Sequence, residues 1–404
     1  MASAVGRDAG NLWRFDYILV NAAQCDAARK KFGRQAGAVP DIVIRNRFTP
    51  APKYWKDIAM LDWKNRDSGS TPPETPTRAR RSLPGSWLGR SLAILLVVAL
   101  LVSWVVGWYW SREPVAFPVQ QHAQASAEGA QRQLVLGYTT VETLRRVAGT
   151  LLDKPGGYLS NDIAPPGLWL DNMPSWEYGV LVQVRDLSRA LRKDFSRSQS
   201  QSTEDPDLSK AEPLFHFDNK SWALPATEGE YRLAIRHLDS YLIRLADPNQ
   251  QNARFFTRAD NLNTWLGDVA TRLGSLSQRL SASIGRVRLN PEEGAQQVRE
   301  ERVETPWLQI DNVFYEARGQ AWALAHMLRA IEVDFADVLA KKNALVSVRQ
   351  IIRELEAAQE PLWSPMVLNG SGYGVLANHS LVIANYISRA NAAIIDLRNL
   401  LSQG

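Results

Sequence analysis

The feature that most constrains this chain is an apolar run from Ser91 to Trp110, SLAILLVVALLVSWVVGWYW, which contains no charged residue. Twenty residues in an α-helix extend about 30 Å, the thickness of the hydrocarbon core of a bilayer. A buried helix of a soluble domain would show polar residues on one face, and none occurs between Leu92 and Val102. The run ends in four aromatic residues of the kind that favour the membrane interface: Trp104, Trp108, Tyr109 and Trp110. We therefore predict one membrane-spanning helix over residues 87–110.

A cleaved signal peptide is the main alternative, because Ala123-Gln124-Ala125 has the small-x-small form of a signal peptidase site. That tripeptide lies well beyond the end of the apolar run. The run itself follows a long polar segment and exceeds the apolar region of about 7–15 residues found in signal peptides. We therefore expect the helix to remain as an anchor.

The charges that flank the run predict its orientation. Four arginines crowd the N-terminal side: Arg78, Arg80, Arg81 and Arg90. On the other side Arg112 is followed by Glu113, and no further basic residue occurs until Arg132. Positive residues remain on the cytoplasmic side of a membrane. This pattern predicts a cytoplasmic N-terminus and an exported domain over residues 111–404.

The charge balance supports the same division. The chain has 47 Lys and Arg against 42 Asp and Glu, and residues 1–90 hold 16 of the basic and 8 of the acidic residues. The positive excess thus lies next to an anionic membrane leaflet, so we expect no nucleic-acid partner. The only cysteine, Cys25, is on the predicted cytoplasmic side, so the exported domain would fold without disulfides.

The N-terminal part divides into two segments. Residues 1–66 form a cytoplasmic segment without a recognisable motif, and residues 67–86 form a Ser/Thr/Pro-rich linker that has too few apolar groups to fold. Met60 starts MLDWKNRDSG, a plausible start followed by tail, linker and anchor. Our hypothesis is that residues 1–59 are an accessory extension.

Hydrophobic periodicity predicts helices throughout the exported part, which we expect to be an all-α bundle. Residues 111–170 form a stem, a helix that reaches Asp153 and a first Gly/Pro loop, and residues 171–404 form the bundle itself. A polar tract over 196–213 and the sequence around Asn290-Pro291 read as loops, and a second Gly/Pro loop runs from Pro361 to Gly374. The predicted bundle helices lie at about 175–195, 227–245, 252–283, 306–340, 346–358 and 377–401.

A shift of 140 residues aligns the chain with itself without a gap. Asp171-Asn172 then meets Asp311-Asn312, and the apolar stripe that ends at Phe195 meets the one that ends at Phe335. This pattern predicts a duplication of two three-helix units, 171–283 and 311–401. Chance similarity between amphipathic helices is the alternative.

The exported part shows no sequence pattern typical of catalysis. The histidines lack metal-ligand spacing, no Gly-x-Ser-x-Gly elbow occurs, and the glycine-rich stretch at 369–374 lacks the Lys-Ser/Thr of a phosphate loop. Asp194 and Asp334 occupy matching repeat positions, which suits either a carboxylate pair or, more simply, two helix-end carboxylates with separate partners. We therefore expect no cofactor and no metal, and favour a protein that is not an enzyme.

The remaining candidates are aromatic residues in and beside the two Gly/Pro loops. Exposed aromatics on rigid loops are common anchors for protein partners. Alternatively, they close the ends of the bundle. The candidate partner-binding residues are Tyr158, Trp169, Trp176, Tyr178, Trp363 and Tyr373.

Three stretches carry a family resemblance: KPGGYLSNDIAPPG at 154–167, DNMPSWEYGVLVQVRDLSRALRKDFSRSQSQSTEDPDL at 171–208, and DNVFYEARGQAWALAHMLRAIEVDF at 311–335. With the single anchor, they resemble a proteobacterial inner-membrane family known as domain of unknown function 2333. The resemblance covers about 90–404 and leaves out residues 1–59. It implies a Gram-negative envelope protein and supplies no catalytic residues.

The leading hypothesis is an inner-membrane-anchored periplasmic scaffold or adaptor that binds an envelope protein partner. The alternative is an envelope enzyme or ligand-binding sensor whose polar site is assembled from separate helices.

Overall fold

A computed structural model describes residues 86–198, 202–249, 252–291, 298–364, 366–371 and 374–403. The segments predicted for residues 1–85 lie outside this part and stay predictions, as do the domain boundaries. Within it, the predicted all-α fold is confirmed. The helices are α1 Ser86–Trp110, α2 Val119–Gly129, α3 Tyr138–Asp153, α4 Asn172–Ala190, α5 Leu208–Phe215, α6 Thr227–Ala246, α7 Ala259–Ser281, α8 Ile310–Asp334, α9 Ala336–Lys341, α10 Leu345–Ala357 and α11 His379–Ser402.

Helix α1 contains the apolar run. Its segment Gly89–Trp110 is long and apolar enough to cross a membrane, and its side chains are almost all exposed. A soluble core helix would be buried on at least one face. By length and composition, α1 is therefore a candidate membrane span.

The two repeated segments, α4 and α8, pack against each other as a parallel pair. A methyl carbon added at Gly179 would lie 2.8 Å from the Gln320 nitrogen and closer still to the Glu316 carbonyl oxygen. The repeat-related Gly319 stands in the same relation to Trp176, whose carbonyl carbon would lie 2.9 Å away. The backbones can approach this closely because neither glycine has a side chain. The wider duplication of two three-helix units stays a prediction.

Equivalent positions of α4 and α8 also lie close together near both ends of the pair. The Phe195 and Phe335 rings, 140 residues apart, lie 5.4 Å from each other. At the other end, partial burial raises the pKa of Asp311, and the neighbouring Asp171 charge raises it further. With the close approaches at Gly179 and Gly319, this proximity of equivalent positions shows that the helices run side by side in the same direction.

Helices α7 and α11 form a second, antiparallel pair. A methyl carbon at Gly274 would lie 3.5 Å from the Asn391 amide, and the Ser277 and Ser388 hydroxyls are 2.5 Å apart. Near the other end of the pair, Arg398 donates to the Asn263 side chain at 3.0 Å. Residues later in α7 therefore contact residues earlier in α11. A continuous buried apolar core joins this pair to the parallel one.

Three local predictions differ from the structure. The tract 196–213 was predicted to be a loop because of its polarity, but it contains the start of α5. Leu208, Ala211 and Phe215 are buried at helical spacing. Asp205 accepts hydrogen bonds from the backbone nitrogens of Asp207 and Leu208 at 2.9 and 3.3 Å, so a carboxylate satisfies the start of the helix.

The second difference is a two-stranded antiparallel hairpin where the sequence suggested a loop. Strand β1, Arg286–Pro291, pairs with β2, Val298–Val303, in a register that joins Arg286 to Val303. The strands alternate too briefly for a period-two signal to stand out from a charged segment.

The third difference is a break in the helix predicted over 306–340. Phe335 leaves helical geometry, with φ −101° and ψ 17°, and separates α8 from α9. Its ring lies 5.9 Å from that of Phe255 and also contacts Phe195. The break thus coincides with an aromatic cluster formed by residues distant in sequence, which local periodicity does not reveal.

Candidate functional site

The last turn of α1 docks onto the first Gly/Pro loop. At Gly107 an added methyl carbon would lie 3.4 Å from the Pro166 side chain and 3.8 Å from that of Leu170. The Trp110 ring covers the backbone of Gly156, which adopts φ +86°. A side chain at Gly156 would be strained and would overlap the indole ring. The apolar helix is therefore seated directly on the bundle.

A buried ion pair holds this loop in shape. The Lys154 ammonium lies 2.6 Å from the Glu177 carboxylate, and both side chains are at most 1% exposed. The carboxylate also accepts hydrogen bonds from the backbone nitrogens of Leu159 and Ser160 at 2.8 Å and from the Ser160 hydroxyl at 2.5 Å. Lys154 donates in addition to the Gly157 carbonyl. The other partners, Gly157, Leu159 and Ser160, lie in the first Gly/Pro loop, so the pair clamps this loop to α4.

The stem after α1 is attached to α8 at two points. Glu113 accepts two hydrogen bonds from the Arg318 guanidinium, at 2.7 and 2.8 Å. Phe117 stacks on His326 with 4.2 Å between ring centroids, and its backbone N–H donates to His326 Nε2 at 3.1 Å. His326 Nδ1 lies 2.7 Å from the Trp322 carbonyl, which assigns the ring proton to Nδ1. Burial lowers the pKa of His326 to about 4, so this neutral form persists at physiological pH.

Arg318 also brings the second Gly/Pro loop to this end of the bundle. Its guanidinium donates to the carbonyls of Gln359 and Glu360, just beyond α10, at 3.1 and 2.8 Å. The Phe314 ring in the first turns of α8 lies 6.4 Å from that of His379, the first residue of α11. We call this end the basal end, formed by residues 154–171, 216–226, 304–309, 358–364, 366–371 and 374–378. The two loops that the sequence analysis treated separately thus belong to one end of the bundle.

The structure separates the predicted aromatic candidates into two groups. Tyr158 and Trp176 are buried in the core, so the expectation that they are exposed anchors is wrong: Tyr158 packs edge-on against Tyr231, and Trp176 lies 5.3 Å from Trp322. Those on the surface are Trp169, Tyr178 and Trp363. Tyr373 lies outside the described residues. Binding by the exposed candidates stays a prediction.

Two further exposed tryptophans at the basal end were missed by sequence reasoning. Trp222 follows α5, and Trp307 starts the short 3-10 turn before α8. Each is followed by an exposed leucine, Leu224 and Leu308. In the sequence, each of these tryptophans is an isolated aromatic residue in an otherwise polar segment. Such a segment has no hydrophobic periodicity, so its pattern predicts a loop and nothing about the tryptophan itself.

A cleft of about 400 Å³ lies beside Trp363, between the start of α8 and the start of α11. Apolar groups from Phe314, Leu362 and Val382 line it, together with Tyr386. Its polar groups are largely engaged: Arg318 binds Glu113, and His379 Nδ1 accepts the Leu368 backbone N–H at 3.0 Å. The cleft therefore suits an apolar or aromatic group more than chemistry that needs a free acid or base.

The carboxylate pair suggested by the repeat has a different arrangement. Asp334 is buried and accepts hydrogen bonds from the Thr140 backbone nitrogen and hydroxyl at 2.7 and 2.6 Å, which satisfies the start of α3. Burial raises the pKa of Asp334, and the Thr140 bonds oppose this shift. Asp194 is half-buried, and burial raises its pKa as well. Asp334 thus serves α3, and none of the described clefts has either carboxylate in its lining.

Comparison with known proteins decides the family. A family model described as "Uncharacterized protein conserved in bacteria (DUF2333)" matches residues 83–404. The chain belongs to the DUF2333 family. The match spans α1 and the whole described bundle, so in this DUF2333 chain the apolar helix and the bundle form one family unit. The comparisons with curated proteins and with solved structures returned no match.

Proposed function

We propose that this DUF2333 protein is an inner-membrane-anchored scaffold or adaptor whose bundle lies in the periplasm. The observation that carries this proposal is the seating of α1 on the bundle, through Gly107, Trp110 and the Glu113–Arg318 ion pair. A free tether would leave the bundle mobile relative to the membrane. A docked helix instead holds the bundle at a fixed height and orientation, which suits a scaffold.

The charges around α1 support the orientation. Arginines precede the helix in sequence, and the first basic residue after it, Arg112, lies 4.2 Å from the Trp108 ring centroid. A cation over an interfacial indole suits the headgroup region on the periplasmic side.

Two surface features support an envelope protein as the partner. Trp363 is 97% exposed at the rim of the 400 Å³ cleft. Tyr178 borders a second cleft of similar volume between the starts of α4 and α8, lined by Ser160, Asn219 and Lys220. An exposed aromatic beside a concave surface is the usual anatomy of a binding hot spot.

Cysteine labelling tests the topology. In intact cells, a membrane-impermeant maleimide should label a Lys341→Cys variant made in a Cys25→Ser background. The same reagent should leave Cys25 of the wild-type chain unlabelled until the cells are lysed. Lys341 is an exposed residue of α9. The reverse labelling pattern would refute the periplasmic assignment.

Photocrosslinking in cells tests the adaptor role. A photoreactive residue at Trp363 should capture one recurrent envelope protein, identified by mass spectrometry. Val346, at the start of α10 and 78% exposed, provides the matched control at the far end of the bundle. Equal capture at both positions, or none at Trp363, would contradict the proposed surface.

A second candidate function, a ligand-binding sensor, is favoured by the volume of the cleft beside Trp363. About 400 Å³ falls within the range of small-molecule sites. Native mass spectrometry of the purified protein should then show a bound small molecule that is lost in Phe314→Ala. Recovery of only the apoprotein would leave the scaffold as the better account.

A further inference from the structure

The exposed tryptophans of the bundle lie at one end of it. Among the described residues beyond α1, the tryptophans more than half exposed are Trp169, Trp222, Trp307 and Trp363, and all four belong to the basal end. Trp176, Trp265 and Trp322 are buried in the core. Large apolar residues accompany the exposed tryptophans at this end: Ile163, Leu168, Leu224 and Leu308. Such a concentration on a soluble surface indicates an interaction face.

Direct contacts place part of this face beside α1. Trp169 lies between Pro166 and Leu170 in sequence, and both of those residues contact the helix at Gly107. Trp222 and Ile163 line a cleft of about 340 Å³ together with Trp110, the last residue of α1. The face is therefore continuous with the end of the apolar helix.

Trp307 and Leu308 adjoin the same loops. Gln309, the last residue of their 3-10 turn, shares a cleft with Ser160 of the first Gly/Pro loop and with Asn219 of the segment that carries Trp222. This turn directly precedes α8, whose N-terminal end belongs to the basal end. The three segments that carry these exposed apolar side chains thus lie next to one another at the basal end.

The contact at Gly107 sets the depth of the face. Gly107 lies three residues inside the end of the apolar segment Gly89–Trp110, which corresponds to about 4.5 Å along the helix. Any group that touches Gly107 from outside reaches the boundary between headgroups and acyl chains when α1 spans a bilayer. Tryptophan favours this boundary because its ring is apolar and its N–H is polar.

We propose that Ile163, Leu168, Trp169, Trp222, Leu224, Trp307 and Leu308 form a lipid-docking face that inserts into the interface of the periplasmic leaflet. This inference rests on the proposed membrane anchoring. The occupant is lipid because the face adjoins a helix that is itself in lipid, so no second partner is needed to cover it. The bundle would then stand on the membrane through two attachments, the anchor and this face.

Spin labelling of the full chain in vesicles tests the proposal. In a Cys25→Ser background, nitroxides are placed at Leu224→Cys and Leu308→Cys, which keeps every tryptophan in place. Leu224 is 99% exposed, so labelling leaves the core intact. The protein is reconstituted in vesicles of phosphatidylethanolamine and phosphatidylglycerol, and collisions with oxygen, which partitions into lipid, are compared with collisions with a water-soluble nickel chelate.

Two control labels make each outcome decisive. Val98→Cys, in the middle of α1, reports whether the anchor is in the bilayer, and Val346→Cys reports the aqueous value at the far end. The oxygen-to-nickel ratio at positions 224 and 308 should exceed that at 346 severalfold and lie below that at 98. An aqueous ratio at 224 and 308 with a membrane ratio at 98 would overturn the docking face alone. An aqueous ratio at 98 as well would overturn the anchor and the face together.

Native membranes distinguish lipid from protein as the occupant. If labels at 224 and 308 are aqueous in pure lipid but shielded from both reagents in native inner-membrane vesicles, the face binds a protein and the lipid proposal is wrong. Shielding from nickel alone, equal in both preparations, is the expected result.

Discussion

The glycine contact between α4 and α8 makes the sharpest prediction for stability. In Gly179→Ala, the new methyl carbon would lie 2.8 Å from the Gln320 nitrogen and nearer still to the Glu316 carbonyl oxygen. Both atoms belong to the backbone of α8, so no side-chain rotation relieves the overlap. The helices must separate, and the core side chains around them must repack.

The magnitude follows from two opposing effects. Replacing glycine by alanine inside a helix gains about 1 kcal/mol in helical propensity. Overpacking costs about 1–3 kcal/mol in cores that can adjust, and a collision with backbone lies at or above the top of that range. We therefore expect Gly179→Ala to lower the free energy of unfolding by about 2 kcal/mol or more. Gly319→Ala, which meets the Trp176 backbone, should behave alike.

Urea unfolding of the full chain in detergent micelles, followed by tryptophan fluorescence and far-UV circular dichroism, measures this effect. Gly229→Ala is the matched control, because it lies in the first turns of α6 with no atom within 4 Å of the added methyl carbon. This variant should be neutral or stabilised by up to about 1 kcal/mol. Gly179→Ala and Gly319→Ala together should cost less than the sum of the single variants, because the first already separates the helices. Equal stability of Gly179→Ala and Gly229→Ala would refute the close parallel packing.

Three further predictions concern the groups that attach α1 and its stem to the bundle. Glu177→Gln should lower the free energy of unfolding by about 3–5 kcal/mol, since it leaves the Lys154 ammonium buried without a counter-charge. Lys154→Met combined with Glu177→Gln should recover more than half, because the ammonium is gone and the amide oxygen introduced at position 177 can still accept a loop hydrogen bond. A double variant as unstable as the single one would contradict the clamp. The lowered pKa of His326 means that the unfolded chain binds the proton more tightly than the folded one. The stability this residue contributes is therefore complete above about pH 6.5 and is lost as the pH falls toward 4. Urea unfolding at pH 7 and pH 5 should show a smaller loss of stability on acidification in His326→Gln than in the wild type, and identical losses would exclude this role. Arg318→Met should lower the free energy of unfolding by about 2–4 kcal/mol and increase proteolysis within residues 111–118, because Glu113 and the carbonyls after α10 lose their hydrogen-bond donor. An unchanged cleavage rate in limited proteolysis would show that other contacts hold the stem.

Local patterns in the sequence identify most helices correctly. The stripe from Val180 to Phe195 predicted α4, and the periodic residues from Leu262 to Leu280 predicted α7. Such stripes are reliable because a helix that packs against a core must place apolar residues three or four positions apart. The same rule missed α5, which carries only three buried apolar residues between charged ones.

The candidate site was predicted only in part. The Gly/Pro composition pointed to the correct loops, and Trp169 and Trp363 are exposed there. Burial of Tyr158 and Trp176 depends on packing against Tyr231 and Trp322, far away in sequence, so local composition cannot distinguish them from their exposed neighbours.

By itself, the sequence identified a helix suited to a membrane and an all-α region beyond it, both confirmed within the described residues, because length, charge and periodicity are local properties of the chain. It also predicted that the segments of α4 and α8 are repeats of each other. Only the tertiary structure decided that the repeated helices run parallel with their glycines at the contact. It also decided that Lys154 meets Glu177 inside the core, and that both Gly/Pro loops belong to the end that receives α1. These facts depend on contacts between residues that are far apart in sequence, and no pattern within a single segment encodes which segment it will meet.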